Sequence, residues 1–336
     1  MTGSPRHLPL VVTTRGGIVE CVHYGSIAVV DRAGRVVAGA GDPRALNFTR
    51  SALKPFQALP FVEDGGMARF GFGSHELALM CASHNAEPLH LGIARRILRR
   101  IGARESDLQC GSHPPMVFSA SGRTPPPRRR WSALCHNCSG KHCGFLAWCR
   151  LHRRPLREYL DPGSPLQRRI RAALRRLAPG TPLARGTDGC SAPNYALPLA
   201  RLAQLYCRLA CGDTPELAAL RFAMTRHPDI VSGTARMDLA LMQAGAAQQP
   251  GDWVAKAGAA GVQALGVRSR RLGIAIRIAD GNAAAVNAAT LETLAQLGLL
   301  RDAGRTPLAR FAPGPIRNDR GREIGRMTAT FRLRPA

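Results

Sequence analysis

Short runs rich in valine, isoleucine and other β-branched residues lie near both ends of the chain. They occupy residues 10–14, 25–30, 35–38, 261–265, 272–279 and 326–333. Such runs are typical of β-strands, and the Asp-Arg-Ala-Gly sequence at 31–34 predicts a hairpin turn between two of them. We therefore expect strands at both ends of the chain.

Between these ends the spacing of apolar residues changes to three and four, which predicts amphipathic helices. The helical segments are 74–82, 89–101, 141–151, 164–177, 195–211, 214–226 and 283–300. The order of strands, helices and strands favours an α/β fold in which one mainly antiparallel sheet is covered by helices. We expect a single catalytic unit over 1–336, with the sheet built from about 8–45 and 258–333 and a mainly helical region at about 50–250.

Length and composition exclude several classes of protein. With 336 residues, 45% of them hydrophobic, the chain can bury a large core without disulfide or metal crosslinks. The apolar run at 8–12 is too short for a signal peptide, and no run approaches the roughly 18 apolar residues of a membrane-spanning helix. We therefore predict a cytoplasmic protein whose ten cysteines are free thiols, metal ligands or packed side chains rather than disulfides.

The net charge of +25 comes almost entirely from arginine. Lysine and arginine together number 47, and only Lys54, Lys141 and Lys256 are lysines. The arginines are spread over the whole chain, which favours a general arginine bias over a dedicated basic surface. The three lysines then mark positions where arginine cannot serve, because arginine keeps its proton in a protein whereas a lysine amine can be neutral.

The first lysine lies three residues after a serine, in the sequence Ser51-Ala-Leu-Lys54-Pro55. Residues three apart in a helical turn point the same way, and a neutral amine can take the proton of a serine hydroxyl. Pro55 is best tolerated at the start of a helix. We predict Ser51 as the nucleophile and Lys54 as its base near a helix N-terminus; the alternative is a helix-capping serine beside a surface lysine.

Two further motifs follow in the order found in penicillin-recognising serine enzymes. They are Ser83-His-Asn85 and Lys256-Ala-Gly258, the second just before a predicted strand. A second hydroxyl can shuttle protons, and a lysine beside an edge strand can hold a substrate carboxylate. Ala257 departs from that pattern, in which the equivalent residue carries a hydroxyl.

A dense group of soft ligands occupies residues 135–143, in the sequence Cys-His-Asn-Cys-Ser-Gly-Lys-His-Cys. Cys138 and Lys141 are three apart and can face one centre, and the distant Cys190 can complete a site suited to zinc. The alternative is buried free cysteines, which are common in cytosolic proteins. We predict the metal site and assign the cysteines outside this group to packing.

At these residues the chain resembles the bacterial thermolabile L-asparaginases of the Rhizobium etli type. The shared sequences are Arg15-Gly-Gly-Ile-Val-Glu20, His23, Arg50-Ser-Ala-Leu-Lys-Pro55, Ala82-Ser-His-Asn85, His136-Asn-Cys-Ser-Gly-Lys-His142, Asp188-Gly-Cys190, His227-Pro-Asp-Ile-Val-Ser-Gly-Thr-Ala-Arg-Met-Asp238, Lys256-Ala-Gly258 and Ile278-Ala-Asp-Gly-Asn282. The resemblance implies hydrolysis of L-asparagine to L-aspartate and ammonia. It also implies a fold similar to serine β-lactamases and glutaminases, and a homodimer.

The resemblance further implies roles for individual residues. Two serine–lysine pairs fall on Ser51 with Lys54 and on Ser83 with Lys256. A zinc ion, which looks substrate-orienting or structural rather than obligatory in that family, falls on Cys138, Lys141 and Cys190. The expected substrate-binding residues are Arg50, His84, Asn85, Asp188 and Gly258. Among them, Arg50, or else Lys256, is expected to hold the α-carboxylate, and Asp188 to take the α-ammonium or support the metal ligands.

Two residues depart from the family, and two other functions stay open. Ala260 stands where an acidic residue is usual, and Cys135 is an additional thiol beside the metal ligands. One alternative is another penicillin-recognising serine amidohydrolase, acting on glutamine or on lactams. The other is a zinc-containing nucleic-acid-binding protein, which the dispersed arginines and the low aromatic content of 5% disfavour. We therefore expect a small-molecule substrate and neither a membrane nor a nucleic acid as partner.

Overall fold

The computed structural model describes residues 4–336, and its strands form one large and one small antiparallel sheet. The strands are β1 (Leu8–Arg15), β2 (Ile18–Val30), β3 (Val36–Ala40), β4 (Leu46–Phe48), β5 (Ala184–Thr187), β6 (Pro193–Pro198), β7 (Trp253–Gly258), β8 (Val262–Val267), β9 (Leu272–Ile278), β10 (Pro315–Arg317), β11 (Glu323–Ala329) and β12 (Arg334–Pro335). Residues 1–3, which belong to the predicted single unit over 1–336, lie outside the described residues.

Twelve helices are described over residues 4–336. They are α1 (Lys54–Glu63), α2 (Gly66–Phe70), α3 (Ser74–Met80), α4 (Pro88–Arg100), α5 (Met116–Ala120), α6 (Ser139–Leu151), α7 (Pro165–Leu177), α8 (Leu199–Cys211), α9 (Pro215–Arg226), α10 (Pro228–Ser232), α11 (Met237–Gln248) and α12 (Ala283–Gln296), with short 3-10 turns such as Arg50–Leu53. Within this part of the chain, no helix combines the length and apolar character needed to cross a membrane.

The large sheet has the strand order β10-β11-β1-β2-β9-β8-β7. Its longest strand, β2, has 13 residues and pairs first with β1, then with β9 on one side and β3 on the other. The half of β2 that lies between two neighbours is fully buried from Gly25 to Val30. All pairings are antiparallel, so the predicted α/β class with a mainly antiparallel sheet and covering helices is confirmed. Strand β7 forms one edge of this sheet.

Helix α8 packs directly on the inner strands of the large sheet because two glycines there face it. Gly266 on β8 and Gly273 on β9 are paired across the strands. A Cβ at Gly273 would lie 1.9 Å from the carbonyl oxygen of Ala203, and one at Gly266 would lie 2.2 Å from that of Tyr206. The absence of side chains at these two positions therefore sets how closely α8 approaches the sheet.

Several elements differ from the sequence prediction. The predicted helix at 195–211 begins only at Leu199, because residues 193–198 form β6 and pair with β4 and β5 in the small sheet. Strand β7 and helix α11 were not predicted. The strands β4, β5 and β7 are three to six residues long. Such short segments hold too few residues for a periodic pattern to stand out.

The close packing of α8 predicts a strong effect of a single methyl group. Gly273→Ala should lower the free energy of unfolding by about 3 kcal/mol or more, because the backbone of α8 would have to move away from the sheet. Gly92→Ala is the control: Gly92 lies inside α4 with open space at its Cβ, so the change should stabilise the helix by up to about 1 kcal/mol. Urea unfolding of both variants measures the difference, and equal stabilities would contradict this account.

Candidate active site

The segment that carries the first serine and lysine is a 3-10 turn, Arg50–Leu53, that runs directly into α1. Pro55 occupies the first turn of α1, as predicted, where no backbone donor is needed. Ser51 is 8% exposed, whereas Lys54 is completely buried. The turn therefore directs the amine of Lys54 into the protein interior.

Within the interior, Lys54 contacts Ser83 rather than Ser51. The Lys54 Nζ donates to the carbonyl oxygen of Ala82 at 2.5 Å and lies 2.9 Å from Ser83 Oγ. Over residues 4–336, Ser51 Oγ makes no hydrogen bond, so the predicted pairing of Ser51 with Lys54 is not the one in this structure. The physical reason is that a buried amine needs hydrogen-bond partners, and residues 82–83 supply them. Burial lowers the pKa of Lys54 from its ordinary value; the Cys138 sulfur opposes this effect, and the nearby amines of Lys141 and Lys256 add to it.

The second predicted pair is also replaced. Lys256, on the edge strand β7, is fully buried and forms an ion pair of 2.7 Å with Asp238 Oδ2, not a bond with Ser83. The other oxygen of Asp238 accepts from the backbone N–H of Ala257 and from Gln263 Nε2. A buried ammonium requires a counterion, which explains this pairing. Asp238 lies in a sequence that resembles the family, but no role was predicted for it.

The two charged residues expected to bind the ends of the substrate are bound to each other. Arg50 Nε lies 2.7 Å from Asp188 Oδ1, and both side chains are largely buried. Arg50 has a φ of 50°, a left-handed conformation that is uncommon outside glycine. Asn194 holds it there, because its side-chain oxygen accepts from the Arg50 N–H and its nitrogen donates to the Arg50 carbonyl. Asn194 is a positioning residue that no sequence signal identified.

The soft ligands predicted to bind a metal are close together and buried. Lys141 Nζ lies 3.0 Å from Cys190 Sγ. A hydrogen bond with Cys190 holds the pKa of the Cys138 thiol well below its usual range, against the opposing effect of burial. Burial acts to lower the pKa of Lys141, but the sulfurs of Cys190 and Cys138 outweigh it and raise this pKa. Two sulfurs and one amine nitrogen therefore face one centre.

The two sulfurs of this donor set fit a thiophilic ion, but the third donor is a lysine amine rather than a usual metal-binding side chain. Among residues 4–336, no three cysteine, histidine, aspartate or glutamate side chains converge on a common metal position. The third donor would be the amine of Lys141, which must lose its proton to bind a metal. Nearby, the Nε2 atom of His142 is buried without a hydrogen-bond partner among the described residues, while its Nδ1 lies 2.7 Å from Tyr159 Oη.

The remaining predicted substrate-binding residues have different surroundings. His84 is fully buried, and both ring nitrogens are occupied, one by Ser139 Oγ at 2.9 Å and the other by the N–H of Ala86. The His84 ring therefore stabilises the chain by contacting Ser139 and Ala86, and neither of its nitrogens is left to bind a ligand. Asn85 binds the carbonyl oxygen of Thr234, whereas its own side-chain oxygen has no partner in the described part of the chain. Gly258 permits a close approach, because a Cβ there would lie 2.7 Å from the carbonyl oxygen of Thr49.

The two departures from the family lie in different places. Ala260 has a φ of 59° in the turn between β7 and β8, and its carbonyl oxygen accepts a hydrogen bond from Arg277. Cys135 is partly exposed at the end of a 3-10 turn before α6 and is a free thiol. Over residues 4–336 the guanidinium of Arg277 makes no ion pair; burial and the nearby Arg50 lower its pKa, and the carboxylate of Asp280 opposes this effect.

Comparison with known proteins gives the family of the chain. Residues 11–329 match the family model described as L-asparaginase II, and the chain belongs to this family. A comparison with curated protein sequences returns no match. Two crystal structures of a protein named Mglu, one solved in 4.3 M NaCl, are 19% and 18% identical, with a TM-score of 0.37 each. They cover 82% of this chain, which spans only 61% and 65% of theirs, and likeness at this level supports no conclusion about function.

The buried ion pair between Asp238 and Lys256 predicts a pH-dependent contribution to stability. Asp238→Asn should lower the free energy of unfolding at neutral pH by about 3–5 kcal/mol, because it leaves the ammonium of Lys256 buried without a counterion. Burial acts to raise the pKa of Asp238, but Lys256 outweighs it and holds this pKa below the ordinary 3.8. The contribution is therefore complete above the unfolded-state pKa and is lost as the pH falls through the folded-state value.

Urea unfolding of the wild type and the variant at a series of pH values checks this prediction. The difference in stability should narrow only below about pH 4. Asp302→Asn is the control, since Asp302 pairs with Arg305 at an exposed site and should contribute less than about 1 kcal/mol. Equal stability of wild type and Asp238→Asn at neutral pH would refute the role of this pair.

Proposed function

We propose that this protein hydrolyses L-asparagine to L-aspartate and ammonia through a serine–lysine pair. Membership of the L-asparaginase II family over residues 11–329 supports the substrate. The observation that carries the chemistry is the contact of 2.9 Å between Lys54 Nζ and Ser83 Oγ at a buried position. A lysine amine that is kept from water beside a serine hydroxyl can act as its general base.

In the proposed reaction, the Ser83 oxygen attacks the side-chain amide carbon while Lys54 accepts the hydroxyl proton. Lys54 then returns this proton to the leaving nitrogen, so that ammonia departs and an aspartyl ester forms on the serine. A water molecule, deprotonated by the same amine, attacks the ester and releases L-aspartate. Each proton taken by Lys54 is given back, so the enzyme is regenerated unchanged.

The two serines have distinct positions relative to this base. Ser51, the nucleophile predicted from sequence, is slightly exposed and without a hydrogen bond in the described chain. The hydrogen bond of Lys54 favours Ser83 as the hydroxyl that is deprotonated first, with Ser51 as the second hydroxyl of the site. Lys256, paired with Asp238, then supplies positive charge beside the β7 edge rather than a neutral base.

Replacing the base separates this proposal from a structural role of the lysine. Lys54→Arg keeps the charge but removes the accessible neutral state, and Ser83→Ala removes the hydroxyl. Both should reduce ammonia release from L-asparagine by at least about 100-fold. Circular dichroism establishes that each variant is folded. Acid-quenched turnover followed by peptide mass spectrometry should place the aspartyl adduct on Ser83, and an adduct on Ser51 would reassign the nucleophile.

The same assay discriminates the alternative substrates. Ammonia release is compared between L-asparagine and L-glutamine, and nitrocefin hydrolysis tests for a lactamase. The proposal expects L-asparagine to be preferred and nitrocefin to be inert. A folded Lys54→Arg variant with near-normal turnover would remove Lys54 from the mechanism, whereas a preference for L-glutamine would change only the substrate.

We also propose that Cys138, Lys141 and Cys190 bind zinc. The support is the softness of two sulfurs and one nitrogen, and the low pKa of the Cys138 thiol, since a thiolate is the form that binds metal. When bound, zinc supplies a Lewis acid and a fixed geometry beside the amines of the site. Asp188, close to Lys141 and paired with Arg50, would neutralise charge around these ligands.

Elemental analysis tests the zinc proposal. Protein purified without chelator should contain about one zinc ion per chain, and the double variant Cys138→Ala, Cys190→Ala should contain none. Cys143→Ala is the matched control: Cys143 is also buried on α6, but burial raises the pKa of its thiol, so the variant should keep its zinc. Absence of zinc from the wild type would leave the cysteines as packed side chains.

The family resemblance also supports proposals about the enzyme's subfamily, its oligomeric state and its cellular location. We propose an enzyme of the Rhizobium etli type that acts in the cytoplasm as a homodimer, with residues 1–336 forming one catalytic unit. Support for the dimer comes from the exposed first half of β2, where Ile18, Val19, Val22 and Tyr24 present large apolar side chains to solvent. Val22 and Tyr24 lie on the same face of the strand, and exposed apolar side chains grouped in this way are typical of protein contacts.

A further inference from the structure

The two cations expected to bind a substrate carboxylate already have carboxylate partners. Arg50 is paired with Asp188, and Lys256 with Asp238, each at 2.7 Å. A carboxylate that enters a site shielded from water needs a cation of its own to compensate for lost hydration. The α-carboxylate of an amino-acid substrate therefore requires another positive side chain beside the site.

The segment from Val231 to Asp238 is attached to the site at three points. The carbonyl oxygen of Val231 accepts from the N–H of Ser83 at 2.9 Å. The carbonyl oxygen of Thr234 accepts from Asn85 Nδ2, also at 2.9 Å. Asp238 holds Lys256. Residues 232–237 therefore lie between points that contact Ser83, Asn85 and Lys256.

Arg236 lies within this segment and is the cation without a partner. Over residues 4–336 its guanidinium makes no ion pair and no hydrogen bond. It lines a cavity of about 310 Å³ together with Asp238, Ala257 and Gly258. Burial lowers the pKa of Arg236, and Asp238 offsets this only in part. The preceding Ala235 has a φ of 59°, an uncommon conformation that fixes the direction in which the chain enters Arg236.

We propose that Arg236 binds the α-carboxylate of the amino-acid substrate and so determines that the substrate must carry one. This inference rests on the proposed function, because it concerns the same site. The planar guanidinium can donate two parallel hydrogen bonds to a carboxylate, which lysine cannot do. The cavity lies along the edge of β7, beside the Lys256–Asp238 pair, and its volume is within the range of small-molecule sites.

Arg277 is the competing candidate, and its surroundings differ. It lines a separate cavity of about 400 Å³ with Arg50 and Asn194. Its guanidinium already donates to the carbonyl oxygen of Ala260. None of the hydrogen bonds that hold the segment 231–238 to the site involves Arg277. The variant Arg277→Gln is therefore a matched control for Arg236→Gln, since both remove a half-buried guanidinium from a cavity wall.

The test compares L-asparagine with L-asparagine α-amide, in which a neutral carboxamide replaces the α-carboxylate. Arg236→Gln should reduce kcat/KM for L-asparagine by about 10- to 100-fold, mainly through KM, and leave the α-amide unaffected, so that the preference for the carboxylate is lost. Arg236→Lys should restore part of this preference. Arg277→Gln should keep the wild-type preference.

Binding of L-aspartate, measured by calorimetry on the same proteins, separates failure of this inference from failure of the proposed function. If the wild-type protein does not hydrolyse L-asparagine, the proposed function is refuted. Even then, weaker binding of L-aspartate by folded Arg236→Gln than by the wild type would still support the carboxylate site. Unchanged preference and unchanged L-aspartate binding in Arg236→Gln would overturn the inference. The inference would also be overturned if Arg277→Gln, rather than Arg236→Gln, lost the preference for L-asparagine over its α-amide. A wild-type protein that binds no L-aspartate would overturn it as well.

Discussion

A buried amine has to be compensated by polar partners, and the centre of this protein contains three of them. Lys54 is compensated by the carbonyl of Ala82 and by Ser83, Lys141 by Cys190, and Lys256 by Asp238. Apart from the carbonyl of Ala257, to which Lys256 also donates, these partners lie more than ten residues from their lysines in the sequence. The interior is therefore stable only when distant segments of the chain meet there, and the same contacts assemble the candidate site.

Packing of the large sheet supplies the fixed wall for this centre. The paired glycines Gly266 and Gly273 let α8 lie against β8 and β9, and β8 in turn holds the edge strand β7 in register. Lys256 thereby projects from a strand that pairs with β8 on one side and, over residues 4–336, with no strand on the other. At this edge the backbone N–H of Ala257 donates to Asp238 and its carbonyl accepts from Lys256, so the wall beside the candidate site is held rigid.

The sequence predicted most of the residue types of the site but not their partners. Because lysine is so rare in this sequence, the three lysines could be identified as special positions. Pro55 correctly indicated where α1 begins. The pairing of Lys54 with Ser83 could not be predicted, because it depends on how a turn at residue 50 meets a segment 30 residues later. Asp238 lacked any signal of its own, since one aspartate in the first turn of a helix is ordinary. Contacts across the fold, rather than local patterns, determine which groups neutralise each other.

The burial of every lysine also determines which chemical reagents can modify the surface of the protein. Of the 47 positively charged residues, only the three lysines carry an ε-amino group, and they are 0%, 2% and 0% exposed. Succinimidyl esters, glutaraldehyde and enzymatic acetylation all act on such amines, so the folded protein offers them no lysine at its surface. Attachment to a support or a label would instead use thiol chemistry, for which Cys21 is exposed on β2.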